Sequence, residues 1–304
     1  MSRKIIYLIN PISGTKGKSS LQELITWRTQ AQNIEFSILP TDAAGNYDHL
    51  LPIIEKEKIT DIVVCGGDGT VNAVAAALMG TTTRIGIIPT GSGNGLAFAA
   101  RIPAAPSRAL DLIFAGKASP IDGFMINDRF SCMLCGIGFD AEVAHEFARQ
   151  KTRGLQTYIR VSFARFFHTG AYRFCVNVPA PHGAEYNFPV DAFFISVANG
   201  NQFGNNFTIA PKARLDDGLL DIVVVKKMGK FRMVLAVLRQ VLGGNRLRAI
   251  SDHLHRSSIL YFQTPSLTID NPDEAPLHID GDPAATAPHF DIRIVPGAFM
   301  LIQP

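Results

Sequence analysis

The chain has 304 residues, of which 47% are hydrophobic and 18% charged, which is ordinary for a globular protein with a sizeable core. No apolar run is long enough for a transmembrane helix, and the apolar start ends at Asn10-Pro11 without a cleavage site, so we expect a cytoplasmic protein. The net charge is only +3, yet 14 of the 29 Lys and Arg lie in residues 149–173 and 226–256. This uneven distribution predicts an anionic partner, either lipid headgroups or nucleic acid.

The first 120 residues alternate short apolar strands with helical segments, which predicts a doubly wound α/β domain. The expected strands are residues 5–9, 35–39, 62–65 and 84–88. The expected helices are residues 20–32, 47–58 and 72–79, and another begins at residue 96.

Glycine-rich loops follow two of these strands, in Gly66-Gly67-Asp68-Gly69-Thr70 and in Pro89-Thr90-Gly91-Ser92-Gly93-Asn94. Such loops let main-chain N–H groups approach an anion at the start of a helix. Two of them at the carboxyl ends of neighbouring strands predict a phosphate pocket. Asp68 could hold a metal ion or a reacting hydroxyl there, and the alternative is a solvated acid in a tight turn. The loop after the first strand, residues 10–18, could also cradle phosphate, although it lacks the Gly-Lys-Ser/Thr ending of a Walker loop.

After Ile121-Asp122-Gly123, short β-rich segments dominate and predict an antiparallel β domain. The expected strands are residues 130–134, 173–178, 192–198, 220–225, 258–262, 266–269, 276–279 and 290–295. Two helical segments interrupt them, residues 140–167, with a break near Gly154, and residues 230–242.

The four cysteines lie in or beside apolar strand-like segments, which favours reduced thiols in the core. Cys132 and Cys135 are two residues apart, but no second Cys or His pair follows at zinc spacing, so a metal or redox site is disfavoured.

Six segments, taken in order, resemble the diacylglycerol kinase catalytic-domain family, which includes bacterial soluble lipid kinases and the sphingosine and ceramide kinases. They are Asn10-Pro11-x-Ser13-Gly14, Gly66–Asn72, Pro89–Asn94, Gly136-Ile137-Gly138-Phe139-Asp140-Ala141, Asp216-Asp217-Gly218-Leu219-Leu220-Asp221 and Asp280-Gly281-Asp282-Pro283. The resemblance covers nearly the whole chain, and the order of the segments makes it specific.

The resemblance implies an N-terminal nucleotide domain like that of NAD kinases, residues 1–122, and a C-terminal β-sandwich, residues 123–289. It also implies a catalytic cleft between them and a last strand, about 290–304, that returns to the first domain. ATP contacts would come from Asn10, Pro11, Ser13, Gly14, Thr41, Gly66, Gly67, Asp68, Gly69, Thr70, Asn72 and Ser92. A structural magnesium ion would be bound by the Asp217 carboxylate and the main-chain oxygens of Arg214 and Leu219, where the alternative is a plain turn.

The family's catalytic base is a Glu in Asp-Gly-Glu, and the matching residue here is Asp282, whose side chain is one methylene shorter. Asp282 can still accept a proton if the acceptor hydroxyl comes closer, and the alternative is an ordinary hairpin acid. Gly95 stands where diacylglycerol-type members commonly have Asp, which is nearer to the sphingoid-type members and leaves the acceptor lipid open.

Three further features bear on the site. Asp122 follows the last strand of the first domain and could join Asp217 and Asp282 in an acidic network. His278 lies near Asp282 on an alternating strand, where packing or exposure is favoured over catalysis. Residues 230–242 place apolar side chains on one helical stripe, which fits either packing on the sandwich or an interfacial membrane helix.

We therefore expect an ATP- and magnesium-dependent kinase for the primary hydroxyl of a lipid such as diacylglycerol. The alternatives are a sphingoid-base or ceramide kinase, a non-catalytic lipid- or nucleotide-binding regulator, and an NAD kinase, which would share the glycine loop. The expected partners are a lipid substrate and the anionic inner membrane surface, with peripheral contact and no nucleic acid, and a homodimer is left open.

Overall fold

The computed structural model describes residues 3–9, 18–150, 155–179, 184–201, 210, 212–241 and 258–304. The chain forms two compact units, Met1–Asp122 with Pro296–Pro304, and Gly123–Val295. Among the described residues, no helix combines the length and the apolar character that a membrane span requires.

The first unit contains a parallel sheet with the strand order β2-β1-β3-β4, extended beside β4 by the end of the last strand of the chain. The four strands are β1 (Lys4–Ile9), β2 (Glu35–Pro40), β3 (Asp61–Gly66) and β4 (Arg84–Pro89). The helices are α1 (Lys18–Ala31), α2 (Leu50–Glu57), α3 (Asp68–Ala77), α4 (Gly95–Ala99) and α5 (Pro106–Ala115). The expected α/β alternation is confirmed.

The strands of this sheet end at a common edge. Ile9 of β1 is paired with Pro40 of β2 and with Cys65 of β3, and Gly66 of β3 is paired with Pro89 of β4. Every residue of β3 is buried, as expected for a central strand of a parallel sheet covered on both faces. The segments that follow the four strands therefore leave the sheet along one line.

The largest differences from the expected helices of this unit concern α3 and α5. Helix α3 begins at Asp68 rather than at residue 72, with Gly67 as its extended N-cap and an acid in its first turn that complements the helix dipole. Helix α5 was not predicted, although Pro106 stands at its start and Gly116, with φ +67°, ends it, as such residues commonly do.

The second unit is an antiparallel β structure. The strands that follow β4 in the chain are β5 (Ala118–Ile126), β6 (Arg129–Ser131), β7 (Leu134–Gly138), β8 (Tyr172–Pro179), β9 (Glu185–Ala198), β10 (Leu220–Lys226), β11 (Ile259–Thr264), β12 (Ser266–Asp270), β13 (Leu277–Ile279), β14 (Asp282–Ala284) and β15 (His289–Ile302). The strand order is β14-β13-β7-β9-β8-β12-β15, and β10, which also pairs with β11, adds to β9. The core contains aliphatic and aromatic side chains from most of these strands, including Phe124, Ile195 and Phe290.

Strands β5 and β15 contain the boundaries between the two units. The first part of β15 pairs with β12, where Asp270 lies opposite His289, and Met300 and Leu301 pair in parallel with β4. The expected strand at residues 290–295 was therefore too short.

One other expectation for this unit was wrong. Residues 130–134 do not form one strand, because β6 ends at Ser131 and β7 begins at Leu134. The expected helical segment at residues 140–167, with its break before residue 155, is confirmed as two helices, α6 (Phe139–Ala148) and α7 (Leu155–His168). The third helix of the unit, α8, spans Lys230–Val241.

Candidate active site

Most of the residues expected to bind a nucleotide lie at the carboxyl edge of the parallel sheet. Thr41 directly follows β2, and its N–H donates to the Ile9 carbonyl at 3.1 Å. Residues 66–72 connect β3 to α3, and exposed Ser92 lies in the loop after β4. The expected ATP contacts Asn10, Pro11, Ser13 and Gly14 lie outside the described residues, and the strand before them ends at this same edge.

The two glycine-rich loops touch each other through their main chains. A Cβ atom added to Gly91 would lie 2.4 Å from the Gly67 Cα atom and 2.9 Å from the Asn94 Oδ1 atom. Contacts this short do not occur in proteins, so a side chain at residue 91 would push the loops apart. The glycines are thus required by the close approach of the two loops, a reason that the sequence pattern alone did not show.

Asn94 closes the second loop on itself. The Gly91 N–H donates to Asn94 Oδ1 at 2.9 Å, and Asn94 Nδ2 donates to the Gly91 carbonyl at 2.8 Å. Asn94 also has φ +53°, in the left-handed region that Asn adopts more readily than most residues. Asn94 is part of the sequence motif, but it was not among the residues expected to contact ATP.

Asp68 lies between the two loops. It is the first residue of α3 and half-buried, and its Oδ1 accepts a long hydrogen bond from the Leu96 N–H at 3.4 Å. Thr90 begins the second loop, and its N–H donates to the Gly66 carbonyl at 3.1 Å. Its hydroxyl oxygen is buried and has no hydrogen-bond partner among the described residues. A buried hydroxyl without a partner in a glycine-rich loop fits a ligand rich in oxygen atoms, such as a nucleotide phosphate.

The remaining expected contacts follow Asp68 on α3 and support the loops. Thr70 packs against Gly66, where an added Cβ atom would lie 3.1 Å from the Thr70 Cβ atom. Gly69 is exposed at the start of the helix, and Asn72 is half-buried one turn further on.

Asp122 was expected to follow a strand, but it lies inside β5. It is buried, and its Oδ1 accepts a hydrogen bond from the Gly297 N–H at 2.8 Å, which ties β5 to the last segment of the first unit. Its contact with the acids of the second unit stays a prediction.

The expected magnesium loop precedes β10 in the second unit. Asp217 is exposed, and its Oδ1 accepts from the Leu219 N–H at 3.1 Å across Gly218, whose φ is +72°. The Arg214 side chain forms an ion pair with Asp216, with 3.3 Å between Nε and Oδ1. Magnesium prefers oxygen ligands and is commonly bound by only one or two carboxylates, so Asp217 with the main-chain oxygens of Arg214 and Leu219 fits this ion. Across the described ranges, no group of three acidic, His or Cys side chains could hold a metal, so this ion would depend on main-chain oxygens.

Buried Asp221 anchors the strand that follows this loop. Its carboxylate accepts hydrogen bonds from Tyr261 Oη at 2.7 Å and from Gln263 Nε2 at 3.1 Å. Burial nevertheless raises the pKa of this carboxyl group, because the charged form loses its hydration.

The hairpin formed by β13 and β14 contains both acids of the Asp280-Gly281-Asp282 segment, and they have different surroundings. Asp280, with φ +50°, accepts hydrogen bonds at Oδ1 from Ser131 Oγ and the Leu134 N–H, both at 2.9 Å, and from the Met133 N–H at 3.1 Å. Asp282 is exposed at the start of β14, opposite Ile279. Asp280 therefore fixes the turn, and Asp282 lies at an exposed position two residues further on.

Two of the buried thiols, those of Cys65 and Cys135, are unsuited to nucleophilic chemistry. Burial raises the pKa of Cys65 to about 12 and raises the pKa of Cys135 well above its ordinary value, with a further contribution from the charge of Asp140. Both cysteines are therefore protonated at neutral pH, and a thiol is a poor metal ligand or nucleophile.

Helices α7 and α8 expose aromatic and aliphatic side chains together with basic ones. Lys230 Nζ donates a hydrogen bond to the Phe167 carbonyl and lies 5.7 Å from the Phe166 ring, so the start of α8 contacts the end of α7. Leu238, Val241 and Leu242 of the expected apolar stripe lie among residues whose side chains are not described. The exposed apolar side chains are Ile159, Phe163, Phe167, Phe231, Val234 and Leu235, which we call the α7–α8 surface.

Comparison with known families matches both parts of the chain. Residues 4–126 match the diacylglycerol kinase catalytic domain, and residues 134–303 match the YegS C-terminal NAD kinase beta sandwich-like domain.

Curated relatives and solved structures agree with these matches. A protein of Pectobacterium atrosepticum, named "Probable lipid kinase YegS-like", is 31% identical over 249 residues, which cover 79% of this chain and 77% of the relative. A protein of the same name from Xanthomonas axonopodis pv. citri is 27% identical over 287 residues, which cover 90% and 88%. The crystal structure of a diacylglycerol kinase from Bacillus anthracis superposes with a TM-score of 0.76 at 22% identity, over 99% of this chain and 97% of that one, which shows that the fold is shared.

Proposed function

Because the chain belongs to the diacylglycerol kinase catalytic-domain family and has a C-terminal domain of the YegS type, we propose that it transfers the γ-phosphoryl group of ATP to a lipid. The acceptor would be a primary hydroxyl, such as that of diacylglycerol, and the reaction would require magnesium. The observation that carries the proposal is the contact of Gly67 with Gly91, with Asp68 between the two loops at the edge where parallel strands end.

Phosphoryl transfer requires positioned phosphates and stabilised charge more than covalent chemistry by the protein. The glycine loops supply main-chain N–H groups, and the Thr90 hydroxyl supplies a donor that has no partner in the part of the chain that the structure describes. Asp68 supplies a fixed negative charge that orients either the metal–nucleotide complex or the acceptor hydroxyl. Magnesium, when bound, neutralises the negative charge that develops on the phosphate oxygens.

Asp282 is the proposed general base. Its exposed carboxylate takes the proton of the lipid hydroxyl while the hydroxyl oxygen forms a bond to the γ-phosphorus atom, and the bond from that phosphorus to the bridging oxygen breaks, releasing ADP. Asp280, one residue before Gly281, instead fixes the turn through three hydrogen bonds to its Oδ1 atom. The two acids of this segment therefore have separate tasks.

Two features of the chain bear on the identity of the acceptor lipid. Diacylglycerol is our first candidate because residues 4–126 match the diacylglycerol kinase catalytic domain. Gly95, which begins α4 in place of the Asp of many diacylglycerol-type members, is the feature that keeps a sphingoid base or ceramide as alternatives.

We also propose that the α7–α8 surface contacts anionic membranes and brings the enzyme to its substrate at the cytoplasmic side. Exposed aromatic rings beside basic residues are the features of helices that lie in a membrane interface. Phe163→Ser should reduce sedimentation with anionic vesicles at low salt, whereas Trp27→Ser, which removes an equally exposed aromatic ring from the first unit, should leave it unchanged. Equal losses in both variants would overturn this assignment.

The test of the function is transfer of labelled γ-phosphate from ATP to anionic vesicles that contain diacylglycerol, a sphingoid base or ceramide, with NAD as a separate acceptor. A lipid kinase labels one of the lipids and requires magnesium. Labelled NAD would indicate an NAD kinase instead. ATP binding with no labelled product on any acceptor would favour the regulator.

A further inference from the structure

A buried pair of ionisable side chains, which the proposed reaction does not use, lies next to the Asp282 hairpin. Asp140 is in the first turn of α6 and His278 is in β13, with relative exposures of 6% and 1%. The His278 Nε2 atom lies 3.5 Å from the Asp140 Oδ2 atom. Oδ2 is buried and has no hydrogen-bond partner among the described residues, and the imidazole lies within ion-pair distance of it.

Gly136 of β7 makes room for this pair. It lies opposite His278 in the antiparallel register, and an added Cβ atom would lie 1.9 Å from Asp140 Oδ2 and 2.5 Å from His278 Nε2. No side chain fits there while both groups keep their places. The first glycine of the Gly-Ile-Gly-Phe-Asp segment is therefore explained by the pair.

The other ring nitrogen of His278 contacts the turn itself. The Gly281 N–H donates to His278 Nδ1 at 3.3 Å, so Nδ1 is the unprotonated nitrogen and Nε2 carries the hydrogen that faces Asp140. A neighbouring carboxylate is the usual device that fixes one imidazole tautomer. Asp140 is itself held in place, because its Oδ1 accepts from the Ala141 N–H at 2.9 Å.

We propose that Asp140 and His278 are positioning residues for the base: Asp140 fixes the tautomer of His278, and His278 holds the Gly281 main chain and hence the orientation of Asp282. The inference rests on the proposed function in one respect, the role of Asp282 as base. Asp280 fixes the turn from one side through Ser131, Met133 and Leu134, and His278 fixes it from the other.

Two substitutions of His278 separate its two contacts. In His278→Asn, the side-chain amide lies where Nδ1 was, so its oxygen can still accept from the Gly281 N–H. In His278→Gln, the amide reaches the place of Nε2 and the acceptor for Gly281 is lost. A displacement of about 1 Å at a catalytic group can cost on the order of a hundredfold in rate, so we expect His278→Gln to lower kcat by at least about tenfold. His278→Asn should keep kcat within about threefold of the wild type.

Asp140→Asn tests the tautomer without changing volume. The amide oxygen should stay on the Ala141 N–H, which turns the NH₂ group toward Nε2 and favours the tautomer that carries its hydrogen on Nδ1. That hydrogen would oppose the Gly281 N–H, so we expect a loss of kcat similar to that of His278→Gln. The same substitution in a His278→Asn background should cause little further loss, because the tautomer no longer matters there.

Three readouts distinguish positioning from a simple loss of stability. The KM for ATP should stay unchanged in every variant, since the nucleotide edge lies in the first unit. In an Asp282→Asn background, His278→Gln should lower kcat no further. Hydrogen exchange of the Gly281 amide should be faster in His278→Gln and in Asp140→Asn than in the wild type and in His278→Asn.

The exchange measurement needs no kinase activity, so it separates this inference from the proposed function. Unchanged exchange of Gly281 in folded His278→Gln or Asp140→Asn overturns the inference whatever the activity. Faster exchange with unchanged kcat in an active enzyme also overturns it. Faster exchange in a protein that phosphorylates no lipid would confirm that His278 fixes the turn. It would refute both the catalytic role of this contact and the proposed function. If His278→Gln does not fold, Asp140→Asn supports the same comparison.

Discussion

The glycine-rich edge of the first unit and the hairpin of the second unit both present an acid, but they position it by different means. At the glycine-rich edge, main chain lies against main chain, and Gly67 and Gly91 leave no room for a side chain. In the hairpin, side chains fix the main chain. The Asp280 carboxylate accepts hydrogen bonds from main-chain N–H and hydroxyl groups, and His278 accepts one from the Gly281 N–H. An added side chain should therefore disrupt the geometry of the first region, and the loss of one polar atom should disrupt the geometry of the second.

The largest effect should follow the removal of the charge that lies between the two glycine loops. Asp68→Ala should fold normally and lose on the order of a hundredfold or more in kcat, because a preorganised electrostatic partner of the reacting groups is gone. Steady-state kinetics with lipid vesicles measure kcat, and a melting curve of the same variant shows whether it is folded. Turnover near that of the wild type would remove Asp68 from the site.

A methyl group at the loop crossing should come next. Gly91→Ala places a Cβ atom 2.4 Å from the Gly67 Cα atom, so the loops must separate, which we expect to weaken ATP binding by at least about tenfold and to cost about 1–3 kcal/mol of stability. Gly170→Ala is the matched control, because a Cβ atom there meets nothing within 4 Å. Isothermal titration with ATP gives the comparison, and equal affinities for the two variants would contradict it.

In the hairpin, the informative substitution removes a hydrogen-bond acceptor, whereas Gly91→Ala adds a methyl group. Asp280→Ala leaves the N–H groups of Met133 and Leu134 without their partner and should lower the free energy of unfolding by about 2–4 kcal/mol. Asp282→Asn, two residues away on an exposed position, should change it by less than about 0.5 kcal/mol. Urea unfolding of both variants provides the test, and the reverse order of stabilities would refute the division of tasks between the two acids.

The smallest effect concerns the proposed magnesium loop. Added magnesium should raise the melting temperature of the wild type, because an ion that binds only the folded state stabilises it. Asp217→Ala should abolish that shift, and Asp216→Ala should keep it, because Asp216 pairs with Arg214 and is not among the proposed ligands. A magnesium shift that survives in Asp217→Ala would mean that the ion binds elsewhere.

The nucleotide edge could be predicted further from the sequence than the hairpin could. Strand, glycine loop and helix follow one another in the chain, so the pattern placed Asp68 and Ser92 at the right edge with only a shift in the start of α3. The surroundings of Asp282 depend on residues that are distant in sequence. Asp140 and His278 meet across 138 positions, and no local periodicity encodes the tautomer that Asp140 imposes.

The glycines of residues 136–138 illustrate the same limit. Glycine is depleted in strands, so the segment was not expected to continue a strand, yet β7 runs from Leu134 to Gly138. Gly136 is required there because Asp140 and His278 fill the space of its side chain, and this reason exists only in the folded protein.

The division of work between the two regions is tested most directly by single-turnover transfer of γ-phosphate to lipid in Asp282→Asn, with ATP affinity measured on the same preparation. We expect ATP to bind as in the wild type and transfer to slow by at least about a hundredfold, because the base is lost while the nucleotide edge is intact. Asp282→Glu, which carries the residue of the family motif, should retain substantial transfer. Transfer in Asp282→Asn at the rate of the wild type would contradict the role of Asp282, because the proton of the acceptor hydroxyl would then be taken by another group.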